Sequence, residues 1–277
     1  MTREKITIPQ ILEKKKRREK ITMLTAYDFP LASIIDECGI DMILVGDSVA
    51  NVVLGLDSTT KVGMAEMLHH AKAVRRAVKY SLVIGDMPYE SYQVDIKDSV
   101  KNARRFLDEA GCDCVKLEWF DRCLEVTESI IKAGISVMGH IGLTPQTAEK
   151  IGGFKVQGKD AATAAKLIEQ AHLLEDLGCF SIVLECVPDM ISKRITEELK
   201  IPTIGIGAGI HCDGQVLVTH DLLGLFQRFR PKFIKQYVDL SRAIKTAVQE
   251  YKKEVIEAKF PTKEHSFSIK EEELKKL

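Results

Sequence analysis

Polar side chains able to do chemistry recur in this chain at the ends of short apolar runs. Asp47 and Ser48 follow MILVG, Asp86 follows LVIG, Lys116 and Glu118 share VKLE, His140 ends VMGH and Glu185 ends IVLE. Asp47, Asp86 and Glu118 could bring several carboxylate oxygens to one place. That donor set suits a hard divalent cation, magnesium above all, which keeps waters that a substrate's oxygens displace; no His or Cys cluster accompanies it to suggest zinc. Each acid alone could instead cap a following helix or pair with a basic neighbour. Lys116 and Glu118 are two apart, so on a strand they share a face, as a plain salt bridge or as part of a site. His140 is open to a core hydrogen bond as well as to a role in a pocket. Glu185 closes an otherwise apolar run, where a partly desolvated carboxyl would have a raised pKa and could act as a general base. The GIGAG run, Gly205 to Gly209, suggests a phosphate cradle, but it lacks GxGxxG spacing and a P-loop lysine; close packing of backbone explains it equally well.

Such groups need a scaffold that ends several strands in one place. Four segments, ECGIDMILVGD, EAGCDCVKLE, KAGISVMGH and DLGCFSIVLE, repeat one unit: a helical stretch closing on glycine, then an apolar run ending in a polar group. Glycine just past a helix end tolerates the left-handed cap, and the run after it has strand length and β-branched content. Between these runs, Met64, Met67, Leu68, Ala71, Val74 and Val78, and likewise Ile96, Val100, Ala103, Leu107 and Ala110, fall at spacings of three and four. Those stripes predict helices packed on a sheet. With ITMLTAYD, SLVIGDMP, IPTIGIGAG and QVLVTHD there are eight candidate strands, separated mostly by helices. This α/β pattern favours a (β/α)8 TIM barrel over an open doubly wound sheet, and on a barrel the carboxyl ends of the strands converge on one mouth. The expected organisation is one barrel domain over residues 1–258, including an N-terminal helix, and a charged tail over 259–277 that frays or docks as a surface helix. The EKKKRREK run near the start reads as a solvated surface.

Composition narrows the partners. A chain of 277 residues with 45% hydrophobic content suits one barrel-sized core. Lys+Arg and Asp+Glu are equal at 40 each, so no net field favours nucleic acid or an acidic membrane surface. The first residues lack the apolar core of a signal peptide, and no stretch supplies the ~18 uninterrupted apolar residues of a membrane span, so a cytoplasmic location is expected. Seven cysteines without a CxxC pair read as reduced thiols, and Cys112 and Cys114, two apart, should point the same way on a strand.

In order along the chain, VGDS, GDMPYESY, VKLE, MGHIGLTPQ, GGFKVQG, VLECVP and IPTIGIGAGIHCDGQVLV resemble the motifs of the ketopantoate hydroxymethyltransferases, from about Thr22 to Tyr237. The resemblance implies a barrel of the phosphoenolpyruvate mutase and isocitrate lyase superfamily and dependence on Mg2+. It implies transfer of a one-carbon unit from 5,10-methylenetetrahydrofolate, as co-substrate, to 3-methyl-2-oxobutanoate, giving 2-dehydropantoate for pantothenate synthesis. By motif, Asp47 and Asp86 would ligate magnesium, with Glu118 at the same metal site directly or through water. Ser48 and Lys116 would hold the oxoacid, His140 would line its pocket and Glu185 would be the base. A homo-oligomer, a decamer of two five-membered rings, is also implied. Three departures mark this chain. Trp119 and Phe120 stand where two glycines usually follow KLE, and should either stack on the folate or narrow its entry. Val49-Ala50 replaces leucine-glycine after GDS, and TTKVG, Thr59 to Gly63, replaces a TLPVT-like segment. A lyase of the same superfamily would need a KKCGH-type cysteine loop, which is absent; a metal-dependent sensor on a retained barrel would have no use for Lys116, Glu118 and Glu185.

Overall fold

A computed structural model describes residues 3–147, 155–228 and 231–277. Among the described residues are eight strands: β1 (Ile21–Thr25), β2 (Met42–Val45), β3 (Leu82–Asp86), β4 (Cys114–Glu118), β5 (Val137–Gly142), β6 (Ser181–Glu185), β7 (Thr203–Ile206) and β8 (Gly214–Leu217). They pair in chain order, all parallel, and β8 closes onto β1, so the sheet is a barrel and not an open one. Helix α1 (Ile8–Lys16) precedes it. The connections are filled by α2 (Phe29–Glu37), the one-turn α3 (Val49–Val52), α4 (Met64–Ala77), the one-turn α5 (Tyr89–Tyr92), α6 (Ile96–Asp108), α7 (Cys123–Lys132), α8 (Ala161–Asp176) and α9 (Asp189–Glu198). Beyond the strands come α10 (Thr219–Leu222), α11 (Leu240–Ile256) and α12 (Glu271–Leu274). Among the described residues no helix is long and apolar enough to cross a membrane.

Two compact units result. One, Met1–Thr219 with Arg230–Ile234, holds the whole barrel; the other is His220–Phe229 with Lys235–Leu277. α11 therefore groups with the residues after 258, where the sequence alone had joined it to the barrel. Its residues Ile244, Val248, Tyr251 and Val255, at helical spacing, form an exposed apolar stripe.

The predicted caps are present: Gly39, Gly111, Gly134 and Gly178 end α2, α6, α7 and α8 with φ of +88°, +71°, +78° and +98°. Each strand then sorts its residues by a period of two. Ile43 and Val45, Val83, Val115 and Leu117, Ile182 and Leu184 join the core between sheet and helices, while Met42, Leu82, Cys114, Met138 and Val183 fill the barrel interior. Continuing the inward parity to the carboxyl ends reaches Asp86, Lys116, Glu118, His140 and Glu185. All seven cysteines are free thiols. Cys112 precedes β4 and packs in the outer core, so it does not share the inward face of Cys114 as expected.

At the opposite end α1 closes the barrel, with Ile11 buried among Ile21, Met23, Met42 and Ile204. Three aspartates just ahead of strands repeat one arrangement. Asp41, Asp113 and Asp213 accept the backbone N–H groups of Thr22, Val83 and Thr203 at 2.8, 2.8 and 2.9 Å. Each also pairs with a lysine of the first residues: Lys14 at 2.6 Å, Lys5 at 2.7 Å and Lys15 at 2.7 Å. The EKKKRREK run is thus only in part a solvated surface. Lys16 and Arg17 stay exposed beside Glu13, but the side chain of Lys15 is 11% accessible, its stem over the apolar base and its ammonium on a carboxylate.

Candidate active site

The inward residues at the strand ends join into one network at the mouth. The Lys116 ammonium lies 2.6 Å from Asp86 Oδ1, and Asp86 Oδ2 accepts the backbone N–H of Asp47 at 3.1 Å. On the other flank His140 Nδ1 is 3.4 Å from Glu118 Oε1 and His140 Nε2 is 3.2 Å from Glu185 Oε2. Neither ring nitrogen makes an aligned hydrogen bond, so these contacts are attractions between charges more than directional bonds. Gln146 ties the halves together: its backbone N–H donates to Glu118 Oε2 at 3.0 Å, and its Nε2 donates to Asp47 Oδ2 at 2.9 Å and to the Met87 carbonyl at 3.1 Å. Its Oε1 accepts from the Tyr92 hydroxyl. Ser48 meets the Tyr27 hydroxyl at 2.7 Å. Asp28, by contrast, caps α2 through Leu31 N–H and takes no part.

The electrostatics follow from burial. Desolvation, reinforced by the charge of Glu118, raises the Asp47 carboxyl to about 6. Desolvation also raises Asp86 to about 6, with Lys116 opposing and Asp47 adding to the rise. Burial would neutralise Lys116, but Asp86, Glu118 and Asp47 outweigh it and hold the ammonium charged. Burial likewise opposes charge on His140, yet Glu118 dominates and lifts the ring to about 9, so it is an imidazolium at neutral pH. Glu185 is therefore not the isolated carboxylate in apolar surroundings that its sequence suggested. Its side chain is 16% accessible and faces a cation. The next residue, Cys186, holds a left-handed φ of +49°, a conformation that costs a non-glycine residue on the order of 1 kcal/mol and fixes the direction of the strand end.

Four carboxylates thus meet two cations in a buried space. The excess negative charge and all-oxygen donors fit a hard divalent cation, which would relieve the repulsion between Asp47 and Asp86. Among the described residues no three His, Cys, Asp or Glu side chains converge into a ready-made cation cage. Both oxygens of Glu118 are engaged by Gln146 and His140, and both of Asp86 by Lys116 and the Asp47 N–H, so a bound cation would share or displace these partners.

Sequence reasoning passed over Gln146, Tyr92 and Tyr27. The first two lie inside the quoted motifs MGHIGLTPQ and GDMPYESY, but only the fold reveals their partners. The GIGAG run is occupied by close packing: Gly207, at φ +63°, lies under the Phe233 ring, and Gly209 lies against Asp189. Val49 and Ala50 are buried at the start of α3, and the buried Thr59 opens a 3-10 turn. Trp119 and Phe120 are half-buried against the outer core; the Phe120 ring stands edge-on to Tyr92 at 5.1 Å, and both rings also line a cavity. Gly152, Gly153 and Phe154 of GGFKVQG lie outside the described residues.

A family model described as Ketopantoate hydroxymethyltransferase matches residues 5–263. A 3-methyl-2-oxobutanoate hydroxymethyltransferase of Syntrophomonas wolfei subsp. wolfei is 54% identical over 273 residues, 99% of each chain. One of Moorella thermoacetica is 53% identical over 265 residues, 96% of this chain and 98% of that one. Among solved structures, a 2,3-dimethylmalate lyase of the PEP mutase/isocitrate lyase superfamily superposes with a TM-score of 0.60 at 12% identity, covering 97% of this chain and 93% of its own. A phosphonopyruvate hydrolase gives 0.59 at 12% identity, over 94% and 93%. These two likenesses are of fold.

Proposed function

Since the chain belongs to the ketopantoate hydroxymethyltransferase family, we propose that the buried network at its barrel mouth is where a hydroxymethyl group is built onto 3-methyl-2-oxobutanoate. The activity is that of a 3-methyl-2-oxobutanoate hydroxymethyltransferase in pantothenate biosynthesis, with 5,10-methylenetetrahydrofolate as co-substrate. Oxoacid, methylene donor and water give 2-dehydropantoate and tetrahydrofolate.

In our reading Asp47 and Asp86 hold Mg2+, with Glu118 reaching it directly or through water. The ion supplies Lewis-acid stabilisation of charge developing on the keto oxygen. Lys116, kept cationic by its acidic neighbours, and Ser48, oriented by Tyr27, hold the oxoacid. Glu185 takes the proton from C3; water adds to the methylene carbon as its bonds to the two folate nitrogens break, and the electron pair left at C3 forms the bond to that carbon, whose oxygen is protonated as tetrahydrofolate leaves. His140 keeps Glu185 in place and, being charged itself, does not compete as a base. The observation that carries this reading is the unbroken chain of contacts from Asp47 through Gln146, Glu118 and His140 to Glu185, all at carboxyl ends of barrel strands. Purified protein given both substrates and magnesium should form 2-dehydropantoate, and omission of any one of the three should stop it. Absence of product from the complete mixture would overturn the assignment.

The same membership leads us to propose a homo-oligomer, a decamer. The apolar stripe of Ile244, Val248, Tyr251 and Val255 on α11 supports an assembly in which a further copy covers it. Sedimentation at working concentration should show decamers; particles of single-chain size alone would remove the proposal.

A further inference from the structure

Beside the mouth lies a cavity of about 270 Å³ that the reaction just described leaves unused. Its wall includes the Trp119 and Phe120 rings and two carboxamides, Gln93 and Gln170. Gln170 lies on the core side of α8, only 7% accessible. Gln93 Nε2 is buried with no acceptor. Buried amides are nearly always paired, so this orphan on the cavity wall points to a ligand that completes it. The cavity also borders the base. Trp119 directly follows Glu118 and donates its backbone N–H to the His140 carbonyl at 2.9 Å, and Gly142, on the cavity wall, is the register partner of Glu185.

We propose that this cavity takes the pterin ring of the folate co-substrate, an assignment that rests on the hydroxymethyltransferase reading. A pterin is a flat bicycle whose faces suit aromatic side chains and whose amino-oxo edge offers the donors and acceptors that a carboxamide pair complements. The volume suits that head and not a whole folate. The benzoylglutamate tail then leaves by the open side, where exposed Lys166 meets its carboxylates. In this chain the rings at 119 and 120 form a wall of the folate site instead of closing its entry.

Trp119 is the single tryptophan of the chain, so it reports on the cavity directly. With free tryptophan as the absorbance control, 5-formyltetrahydrofolate should quench its fluorescence saturably. Gln170→Leu and Gln93→Leu, each close in size to the parent, should raise the Kd of that probe and the KM for methylenetetrahydrofolate at least tenfold, with the oxoacid KM within twofold. Turnover by the parent without saturable quenching, or an unchanged folate KM in both variants, overturns the cavity assignment and spares the function. If the parent forms no 2-dehydropantoate and binds no folate, the function fails and the cavity assignment falls with it.

Discussion

In Glu185→Gln, exchange of the C3 proton of 3-methyl-2-oxobutanoate with deuterated water is expected to fall about a thousandfold, within the usual worth of a positioned general base. Magnesium and the oxoacid should still bind, because Gln keeps the size and part of the hydrogen bonding while losing only the ability to accept that proton. The alternative base is His140, 3.2 Å away. Its ring is raised to about 9, so at pH 7 only about one ring in a hundred is neutral and able to take a proton. A His140 base would give a rate that climbs steadily up to about pH 9, where the imidazolium discharges, so a profile without that climb excludes it. Proton NMR without folate follows this one step. A folded Gln variant that binds the oxoacid and exchanges as fast as the parent would show that Glu185 is not the base.

Asp47→Asn and Asp86→Asn should each weaken magnesium binding at least tenfold, about 1.4 kcal/mol or more, yet move the stability of the metal-free protein in opposite directions. Asp47 is raised from 3.8 to about 6, so between those values the folded state binds more protons than the unfolded. Stability is therefore lost as pH rises through that window, and above about 6 the whole cost of the buried charge is present. Asn carries no such charge. In chelator at pH 7.5 Asp47→Asn should melt above the parent, by an amount on the order of 1–3 kcal/mol. Asp86 shares the raised value, but it also accepts the Lys116 ammonium at 2.6 Å, and the Asn variant leaves that cation buried with a weaker partner. It should melt below the parent, since breaking a buried pair costs roughly 3–5 kcal/mol before neighbouring acids compensate. Adding magnesium should raise the parent's Tm more than either variant's. Equal magnesium-induced shifts in all three proteins would remove both aspartates from the metal site. Below pH 6 the parent's own affinity should fall as protons occupy both carboxyls.

What could be read in advance was whatever depends on local spacing. The glycine-terminated helices, the eight strands and the inward parity of Lys116 and Glu118 rest on periods of two and 3.6, and those periods are written along the chain. Asp47, Asp86, His140 and Glu185 were found because each interrupts an apolar run at its end. Gln146 was not, because its partners Asp47, Met87, Tyr92 and Glu118 lie 28 to 99 residues away and nothing in its neighbours signals them. The protonation of His140 was hidden for the same reason: it belongs to the charge of Glu118, brought alongside by the β4–β5 register. The rings of Trp119 and Phe120 stood out as departures from a motif, but their meaning waited on Tyr92 and on a cavity wall supplied partly by α8.

The floor of the barrel has a bearing on how the chain is made. Lys15 leaves the ribosome well ahead of its carboxylate, Asp213, which is 198 positions behind it. β8, which pairs with β1, follows that aspartate at once. A nascent chain arrested before residue 213 can pair Lys14 with Asp41, but it has neither the carboxylate of Lys15 nor the β8 that closes the barrel onto β1. Closure over so long a loop is slow, because the chain surrenders its freedom before the contact rewards it. Synthesis of nearly the whole barrel must finish before its first helix can be locked in place.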